Sequence, residues 1–312
     1  MTDEYAATRA LLVAELDAAR FGHPGYLAWF YGANPRGRAI EEQVDDPETG
    51  RRVGHYAVLP ARFRTPAGAG AFIFSSNVAT DSSQRRGGLF RDMAQRMYER
   101  AAATGAPAMV GVGNHNSTVV VVERFGWTSL GPLPVRVGMP LAGRRAARRV
   151  ESITVDDDFL ASDRFAALAS NLDWVPVRDW VQSWDAAFLR WRLSRPDGGY
   201  VLHVGRDALA VSVAATAPLG IRAAVVLKVF PRPGAVLPVR TGALLAAACR
   251  HHRAPLYIYA GFNAHAVVRG LRPPRRLQPS PLNLVVKPLD ESVVHGADFR
   301  LDTFEFLDMD AY

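Results

Sequence analysis

Apolar residues along the first half of the chain switch repeatedly between helical and strand spacing. Segments 5–20 and 25–31 have the spacing of amphipathic helices, and the second ends at the turn Asn34-Pro35-Arg36-Gly37. Alternation and short apolar runs predict strands at 39–44, 53–63, 71–80, 108–112 and 127–137. Helical spacing returns at 89–103 and 117–124. Strands and helices in this order predict a mixed α/β sheet domain.

A similar order of elements recurs in the second half, after a linker-like stretch at 140–149. The patterns there predict helices at 184–193, 239–251 and 263–270. They predict strands at 200–204, 209–216, 221–230, 256–259, 282–286 and 299–306. When the two halves are aligned by element, Asn116 corresponds to Asn263. With 312 residues the chain is long enough for about two domains, so the pattern predicts a structural repeat.

Composition and charge exclude several classes of protein. Cys249 is the single cysteine, so neither an intramolecular disulfide nor a cysteine-rich zinc site can form. The net charge of +7 comes from arginine, since Lys228 and Lys287 are the only lysines, and no nucleic-acid-binding motif accompanies it. An anionic small molecule therefore fits the charge better than a nucleic acid. With no apolar run of membrane-spanning length and no signal peptide, a cytoplasmic protein is expected.

The most informative stretch joins the predicted strand 71–80 to the predicted helix 89–103. It contains two arginines and two glycines, in the order Gln84-Arg85-Arg86-Gly87-Gly88. The N–H groups and the dipole at a helix start bind phosphate oxygens, and glycines let the backbone approach an anion closely. The stretch predicts a phosphate site, and the alternative is an ordinary Gly-Gly turn between a strand and a helix.

At these residues the sequence resembles the GNAT superfamily of acyl-CoA-dependent N-acyltransferases, in which Arg/Gln-x-x-Gly-x-Gly/Ala follows a strand and begins a helix. Two registers match, Arg85-x-x-Gly88-x-Phe90 and Gln84-x-x-Gly87-x-Leu89, and both lack the last small residue. The resemblance extends to flanking motifs: Asn34-Pro35-x-Gly37, Asn114-His115-Asn116-Ser117 and Phe125-Gly126-Trp127. It covers residues 26–137 and continues, as a whole-chain architecture, to tandem GNAT proteins.

The resemblance implies an α/β fold of two tandem GNAT-like mixed-sheet domains, of which the second is degenerate. Residues 1–142 would form the acyl-CoA-binding domain, 143–149 a linker, and 150–312 a second GNAT-like domain that contributes to the acceptor site. Three prolines between Phe230 and Val239 remove backbone N–H donors, so the second copy is not expected to hold a pyrophosphate.

The resemblance also implies roles for individual residues, with acyl-CoA as co-substrate and no metal. Backbone groups of Val78, Ala79 and Thr80 would pair with the pantetheine arm and polarise the thioester carbonyl. Asn116 or Ser117 would hydrogen-bond the pantetheine, unless it serves only as a helix cap. The pyrophosphate would lie against seven consecutive residues: Gln84, Arg85, Arg86, Gly87, Gly88, Leu89 and Phe90.

The sequence gives a weaker indication of the general acid and the general base than of the cofactor site. Many GNAT enzymes have a tyrosine, as general acid for the thiolate, at the position where this sequence has Val122. His115, at the end of a predicted strand, is a candidate general base because histidine titrates in the useful range. Asp81 and His203 are further candidates, although an aspartate before a turn is commonly a cap.

These features predict an N-acyltransferase that moves an acyl group from acyl-CoA to a primary amine of a small molecule. An amino sugar of a glycolipid or an antibiotic is one acceptor class. Two other functions remain open. A non-catalytic acyl-CoA-binding sensor agrees with Val122, and an aminoacyl-tRNA-dependent transferase would use the arginine excess.

Overall fold

The structure is a computed structural model that describes residues 3–16, 19–84, 88–141, 143, 145–217, 220–274, 278 and 282–309. The chain forms two compact units. The first unit contains residues 1–63, 69–130 and 284–299. The second unit contains residues 64–68, 131–283 and 300–312.

The secondary structure alternates strands and helices, as predicted. The α-helices are α1 Ala6–Glu15, α2 Leu89–Ala102, α3 His115–Phe125, α4 Asp157–Ala161, α5 Asp163–Leu168, α6 Ala186–Leu193 and α7 Gly242–His251, and a π-helical turn covers Ala28–Gly32. The first eight strands are β1 Ile40–Asp45, β2 Arg52–Thr65, β3 Gly68–Thr80, β4 Ala108–Gly113, β5 Thr128–Pro132, β6 Val135–Gly138, β7 Glu151–Thr154 and β8 Val181–Gln182. The others are β9 Val201–Val204, β10 Ala208–Thr216, β11 Arg222–Pro231, β12 Val239–Arg240, β13 Leu256–Asn263, β14 Ala266–Val267, β15 Asn283–Pro288 and β16 Thr303–Glu305.

The sheet of the first unit has the strand order β1-β2-β3-β4-β15-β5. β1 and β2 are antiparallel, whereas β3 and β4 are parallel. Residues Val53 to Leu59 of β2 are all buried, as expected for a central strand that is covered on both faces. Helix α2 packs its buried face against this sheet, because Met93, Met97 and Ala101 recur at four-residue spacing and are fully buried.

The sheet of the second unit has the strand order β16-β13-β11-β10-β9-β7, and β6 also pairs with β13. β10 and β11 are antiparallel over nine residue pairs, whereas β11 and β13 are parallel. Helix α7 supplies a run of buried residues, Leu244 to Cys249, to the core of this unit. Two mixed sheets, each with helices, confirm the predicted α/β class with two tandem GNAT-like domains.

Each sheet includes strand residues from the other half of the sequence. β15, from near the end of the chain, lies between β4 and β5 of the first sheet, and β6 pairs with β13 in the second. The strand predicted at 127–137 is therefore two strands, because Pro134 lacks an N–H and the chain changes sheets there. The predicted domains 1–142 and 150–312, with a linker at 143–149, differ from the two units for this reason.

The predicted helix at 263–270 is wrong. β13 continues to Asn263, where its last residues pair with β16, and the short strand β14 follows. The Asn263 side chain donates to the carbonyl oxygen of Val229 at 3.1 Å, a tertiary contact that the local pattern does not contain. Among the described residues, no helix is both long and apolar enough to cross a membrane.

Candidate active site in the first unit

The parallel strands β3 and β4 stop pairing before either strand ends. Their paired residues are Ile73–Met109, Phe74–Val110 and Ser75–Gly111. β3 then continues to Thr80 and β4 to Gly113. Asn77, two residues after the last pair, has a φ of 34°, which is rare for a residue other than glycine. β3 is therefore locally irregular, and its remaining residues are not hydrogen-bonded to β4.

Helix α2 is the next α-helix after β3 in the chain. Gly88 is the N-cap of α2 with a φ of 79°, and no side chain caps this helix. A Cβ placed on Gly88 would meet nothing within 4 Å, so the space above the helix start is open. The first N–H groups of an α-helix lack intrahelical acceptors, which suits this end of α2 to an anion. Arg85, Arg86 and Gly87 lie outside the described residues.

The other predicted pyrophosphate residues flank this helix start. Gln84 is half-buried at the end of a short 3-10 turn, and its N–H donates to the carbonyl of Asp81. Leu89 and Phe90 are half-buried in the first turn of α2, and the Phe90 ring packs edge-to-face on Phe125. These two side chains point into the fold, so only their backbone groups suit a phosphate.

The start of helix α3 lies directly after β4. The side chain of Asn114 caps this helix by accepting from the N–H of Ser117 at 2.9 Å. The hydroxyl of Ser117 donates back to the Asn114 carbonyl at 3.3 Å. Ser117 is thus engaged in its own cap, whereas His115 and Asn116 are exposed in the first turn. The cap is Asn114, which leaves the side chain of Asn116 available to a ligand.

Val122 occupies the position where the family resemblance implies a catalytic tyrosine. It is half-buried on α3 and packs with Val121 and Phe125 against the hydrophobic core of the first unit. No hydroxyl is therefore supplied at this point of the helix.

Asp81 has the geometry of a structural cap. Its carboxylate accepts from the N–H of Ser83 at 2.9 Å and from the Ser83 hydroxyl at 2.5 Å. Arg51 also pairs with it at 2.8 Å. The hydrogen bonds from Ser83 lower the pKa of Asp81, and a carboxylate of lowered pKa is a weak base. We therefore do not retain Asp81 as a general base.

His203 lies in the core of the second unit and is fully buried. Its Nδ1 is 2.8 Å from the Ser152 hydroxyl and its Nε2 is 2.7 Å from the Ser212 hydroxyl. Burial, together with the neighbouring His252 and His251, lowers its pKa to about 3. With both ring nitrogens bonded to serines, His203 has no nitrogen free for a substrate, and we do not retain it as a base.

Sequence reasoning did not single out a buried polar chain behind Asn77. Asn77 Nδ2 donates to the hydroxyl of Tyr31 at 3.0 Å, and that hydroxyl is 3.0 Å from His55 Nε2. Tyr31 and His55 are fully buried, and burial lowers the pKa of His55 to about 3. The three residues are far apart in sequence, so no local motif marks them.

In the second unit the parallel strands β11 and β13 also stop pairing before they end, and there β16 and its Glu305 side chain provide hydrogen-bond partners. β11 pairs with β13 up to Val226–Tyr259 and has an irregularity at Leu227. Strand β16 then pairs with the end of β13. The carboxylate of Glu305 in β16 accepts from the N–H of Val229 in β11 at 3.2 Å.

A buried ion cluster completes this filling. Lys228 Nζ lies 3.2 Å from Glu305 and 2.7 Å from Asp308. The hydroxyl of Tyr259 donates to Glu305 at 3.0 Å, and Asn263 Nδ2 donates to the same carboxylate at 3.0 Å. Burial raises the pKa of Glu305 to about 7, against the opposing effect of Lys228. The open strand N–H of Val229 is therefore satisfied by the protein.

Within the described part of the chain, no group of three or more His, Cys, Asp or Glu side chains is placed to hold a metal ion.

Comparisons with known proteins find one family match, which lies within the first unit. Residues 44–130 match a family model described as an acetyltransferase (GNAT) domain. A search of the curated proteins gave no match to this sequence.

Three solved structures share the fold. A GCN5-related N-acetyltransferase from Kribbella flavida is 15% identical with a TM-score of 0.52, covering 78% of this chain and 59% of that one. One from Anabaena variabilis is 11% identical with a TM-score of 0.61, covering 92% and 71%. The N-myristoyltransferase of Saccharomyces cerevisiae with bound myristoyl-CoA is 9% identical with a TM-score of 0.56, covering 92% and 80%. This chain thus spans less than two thirds of the Kribbella structure.

Proposed function

Since residues 44–130 of this chain match the family model of a GNAT acetyltransferase domain, we propose that the protein is an N-acyltransferase that uses acyl-CoA. The acyl-CoA would bind in the first unit, and the acceptor would be a primary amine of a small molecule. The observation that carries this proposal is that β3 and β4 stop pairing at Ser75–Gly111, and that the next α-helix of the chain, α2, has no side-chain cap at its N-terminus.

The alternation of N–H groups along β3 refines which of them would meet the pantetheine arm. The N–H of Asp81 donates to the carbonyl of Val53 in β2 at 2.8 Å. Because successive N–H groups of a strand point to opposite sides, Thr80 and Val78 direct theirs away from β2, and Ala79 directs its own toward β2. Val78 and Thr80 are therefore the donors that we assign to the pantetheine and the thioester carbonyl.

The second unit supports this assignment by internal comparison. The N–H of Arg232 donates to the carbonyl of Asp207 in the β9–β10 connection, as that of Asp81 does to β2. Val229 lies three residues before Arg232, and Val78 lies three residues before Asp81. The N–H of Val229 binds a carboxylate oxygen. In the second unit, the N–H at the position that corresponds to Val78 is thus directed at an oxygen acceptor.

The pyrophosphate would then lie at the start of α2. The backbone groups of Gln84, Gly88, Leu89 and Phe90 flank this point, and Arg85 or Arg86 would add charge-assisted contacts. Asn116, exposed beside the cap of α3, is the side chain that we assign to the pantetheine.

In the reaction, the amine nitrogen attacks the thioester carbon, the C–N bond forms and the C–S bond breaks. The amine loses a proton and the CoA sulfur leaves as thiolate or thiol. A thiol with a pKa near 8.5 leaves readily without a protein acid, which agrees with Val122 in place of a tyrosine. His115 is the one proposed base that is exposed, at the end of β4. We therefore assign to His115 the removal of the amine proton.

An amino sugar remains the acceptor class that we propose, because its amine is less basic than an alkylamine and needs less help to lose a proton. A panel of acceptors that contains glucosamine and simple alkylamines, with release of the CoA thiol as readout, tests this. Binding of acetyl-CoA without turnover on any amine would favour the sensor function instead.

The role of His115 is tested by His115→Ala, with His251→Ala as control because His251 is also exposed but lies at the end of α7. Loss of a general base is expected to reduce kcat by roughly 10²- to 10⁴-fold. Wild-type kcat in His115→Ala would remove this residue from the mechanism.

A further inference from the structure

Behind the proposed thioester site, the polar chain Asn77–Tyr31–His55 connects three separate elements of the first unit. Asn77 lies in β3, Tyr31 in the π-helical turn Ala28–Gly32, and His55 in the central strand β2. π-Helical turns are rare and frequently accompany functional sites. A hydrogen-bonded chain of this kind holds the local backbone in one conformation, because each member fixes its neighbour.

The direction of the hydrogen bonds follows from the donors and acceptors. The amide nitrogen of Asn77 can only donate, so the Tyr31 oxygen accepts. The Tyr31 hydroxyl then has its own proton to give, and His55 Nε2 is 3.0 Å away. Because His55 is buried and neutral, its single ring proton is then on Nδ1, which has no hydrogen-bond partner in the described part of the chain.

Asn77 is also where β3 departs from regular strand geometry. Its φ of 34° lies in the left-handed region, which asparagine tolerates better than other residues with a side chain. Strained backbone persists only where the surroundings hold it, and the contact to Tyr31 is such a restraint. The next residue, Val78, carries the first of the two N–H groups assigned to the acyl-CoA.

The irregularity of the second unit lacks this conformation. Leu227 in β11 is not among the described residues of positive φ, and the neighbouring Lys228 is held by Glu305 and Asp308. Asn77, with its positive φ and its hydrogen bond to the buried Tyr31, thus lies in the first unit, which also contains the match to the GNAT domain model.

From this geometry we infer that Asn77 is a positioning residue, anchored by Tyr31 and His55, that aims the N–H of Val78 at the thioester carbonyl of acyl-CoA. The inference rests on the proposed function. Its chemistry is indirect, because Asn77 acts through the strand backbone and its anchors are buried away from any substrate.

The test uses three variants and one control. Tyr31→Phe removes only the hydroxyl to which Asn77 donates. Asn77→Ala removes both the Asn77 side-chain amide and the tolerance for positive φ. Asn77→Gly also removes the amide but keeps the tolerance for positive φ. The control is Tyr56→Phe, which deletes a different buried tyrosine hydroxyl. Tyr56 lies in β2, and its hydroxyl is 2.8 Å from Ser75 Oγ in β3. The full-length protein is used throughout, and thermal unfolding reports how far each variant is destabilised.

The readout is the infrared carbonyl band of acetyl-CoA labelled with ¹³C at the carbonyl, measured bound and free. In the wild type the band is expected to shift to lower frequency on binding, because an aimed N–H polarises the carbonyl. Tyr31→Phe and Asn77→Ala are expected to lose most of this shift and to bind acetyl-CoA about tenfold more weakly in calorimetry. Asn77→Gly should retain more of the shift than Asn77→Ala, and Tyr56→Phe should match the wild type.

The outcomes separate the inference from the proposed function. If the wild-type protein does not bind acetyl-CoA, the proposed function fails. If the wild type binds and shifts the band, but Asn77→Ala and Tyr31→Phe behave like it, the positioning role is wrong. An equal loss in Tyr56→Phe would also overturn it, because the effect would then follow from destabilisation of β2 and β3 in general.

Discussion

The two units treat the end of their parallel strand pair in opposite ways. In the first unit, β3 and β4 stop pairing at Ser75–Gly111 although both strands continue, and α2 begins after Gly88, whose Cβ position is open. In the second unit, β16 pairs with β13, and the Glu305 carboxylate binds the N–H of Val229. One strand topology therefore serves either as a proposed ligand site or as part of a protein core.

Side chains at the end of the parallel strand pair, and not the sheet itself, decide whether this end is a proposed ligand site or part of the core. A strand N–H that is shielded from water needs an acceptor, which either a ligand or the protein can supply. Glu305 supplies it in the second unit, and its carboxylate is paired with Lys228, which also pairs with Asp308. This arrangement has the cost of burying three ionisable groups. The proline-rich loop after β11 removes further donors at the place where the first unit has Gly88.

The largest effect is expected from separating the two halves of the sequence. A fragment of residues 1–142 lacks β15, which lies inside the first sheet between β4 and β5, so both neighbours lose their hydrogen-bond partner. The fragment is expected to remain unfolded by circular dichroism and chemical-shift dispersion. Adding residues 283–299 through a flexible linker after Pro132 should restore a cooperative unfolding transition. A folded 1–142 fragment would show that each half forms its sheet alone.

The next largest effect concerns two loop glycines, Gly88 before α2 and Gly234 after β11. Gly88 and Gly234 both have positive φ, 79° and 82°, and open space at Cβ. Gly88→Asp places a negative charge at the proposed pyrophosphate site and should weaken CoA binding in calorimetry by at least about 100-fold, since two like charges placed side by side in a complex cost several kcal/mol. Gly234→Asp, the matched change in the second unit, should leave CoA affinity unchanged.

Gly88→Asn then separates charge from shape, because it has the size of aspartate and also tolerates positive φ. It is expected to bind CoA more tightly than Gly88→Asp. Equal losses for Gly88→Asp and Gly234→Asp would mean that the two loops are not functionally different.

The smallest effect is on stability and tests the internal filling of the second unit. Glu305→Gln replaces one carboxylate oxygen by an N–H₂ group that would face the donors Lys228 and Asn263. At pH 8, above the raised pKa of Glu305, this is expected to lower the free energy of unfolding by about 3 kcal/mol.

Urea unfolding measures this change, with Glu42→Gln as control. Glu42 pairs with Arg96 and Arg100 near the surface, and its loss should cost less than about 1 kcal/mol. A Glu305→Gln variant as stable as Glu42→Gln would mean that the carboxylate is not needed to close the opening.

The sequence by itself determined the fold class and most elements, and it led to the proposed location of the site. Hydrophobic periodicity is a local property, and it marked β2, α2 and α7 because each buries a regular face. The stretch 77–90 identified the proposed cofactor site because close approach to an anion needs glycines and helix N–H groups next to each other in the chain.

Tertiary structure decided what depends on partners distant in sequence. The strand predicted at 127–137 is divided between two sheets, and β15 enters the first sheet from 150 or more residues away, because strand pairing is specified by hydrogen bonds that a local pattern does not carry. His203 could be recognised as a buried hydrogen-bonded side chain only once Ser152 and Ser212 were placed beside it. The contact of Asn77 with Tyr31 is of the same kind, since folding brings together residues that the sequence holds 46 positions apart.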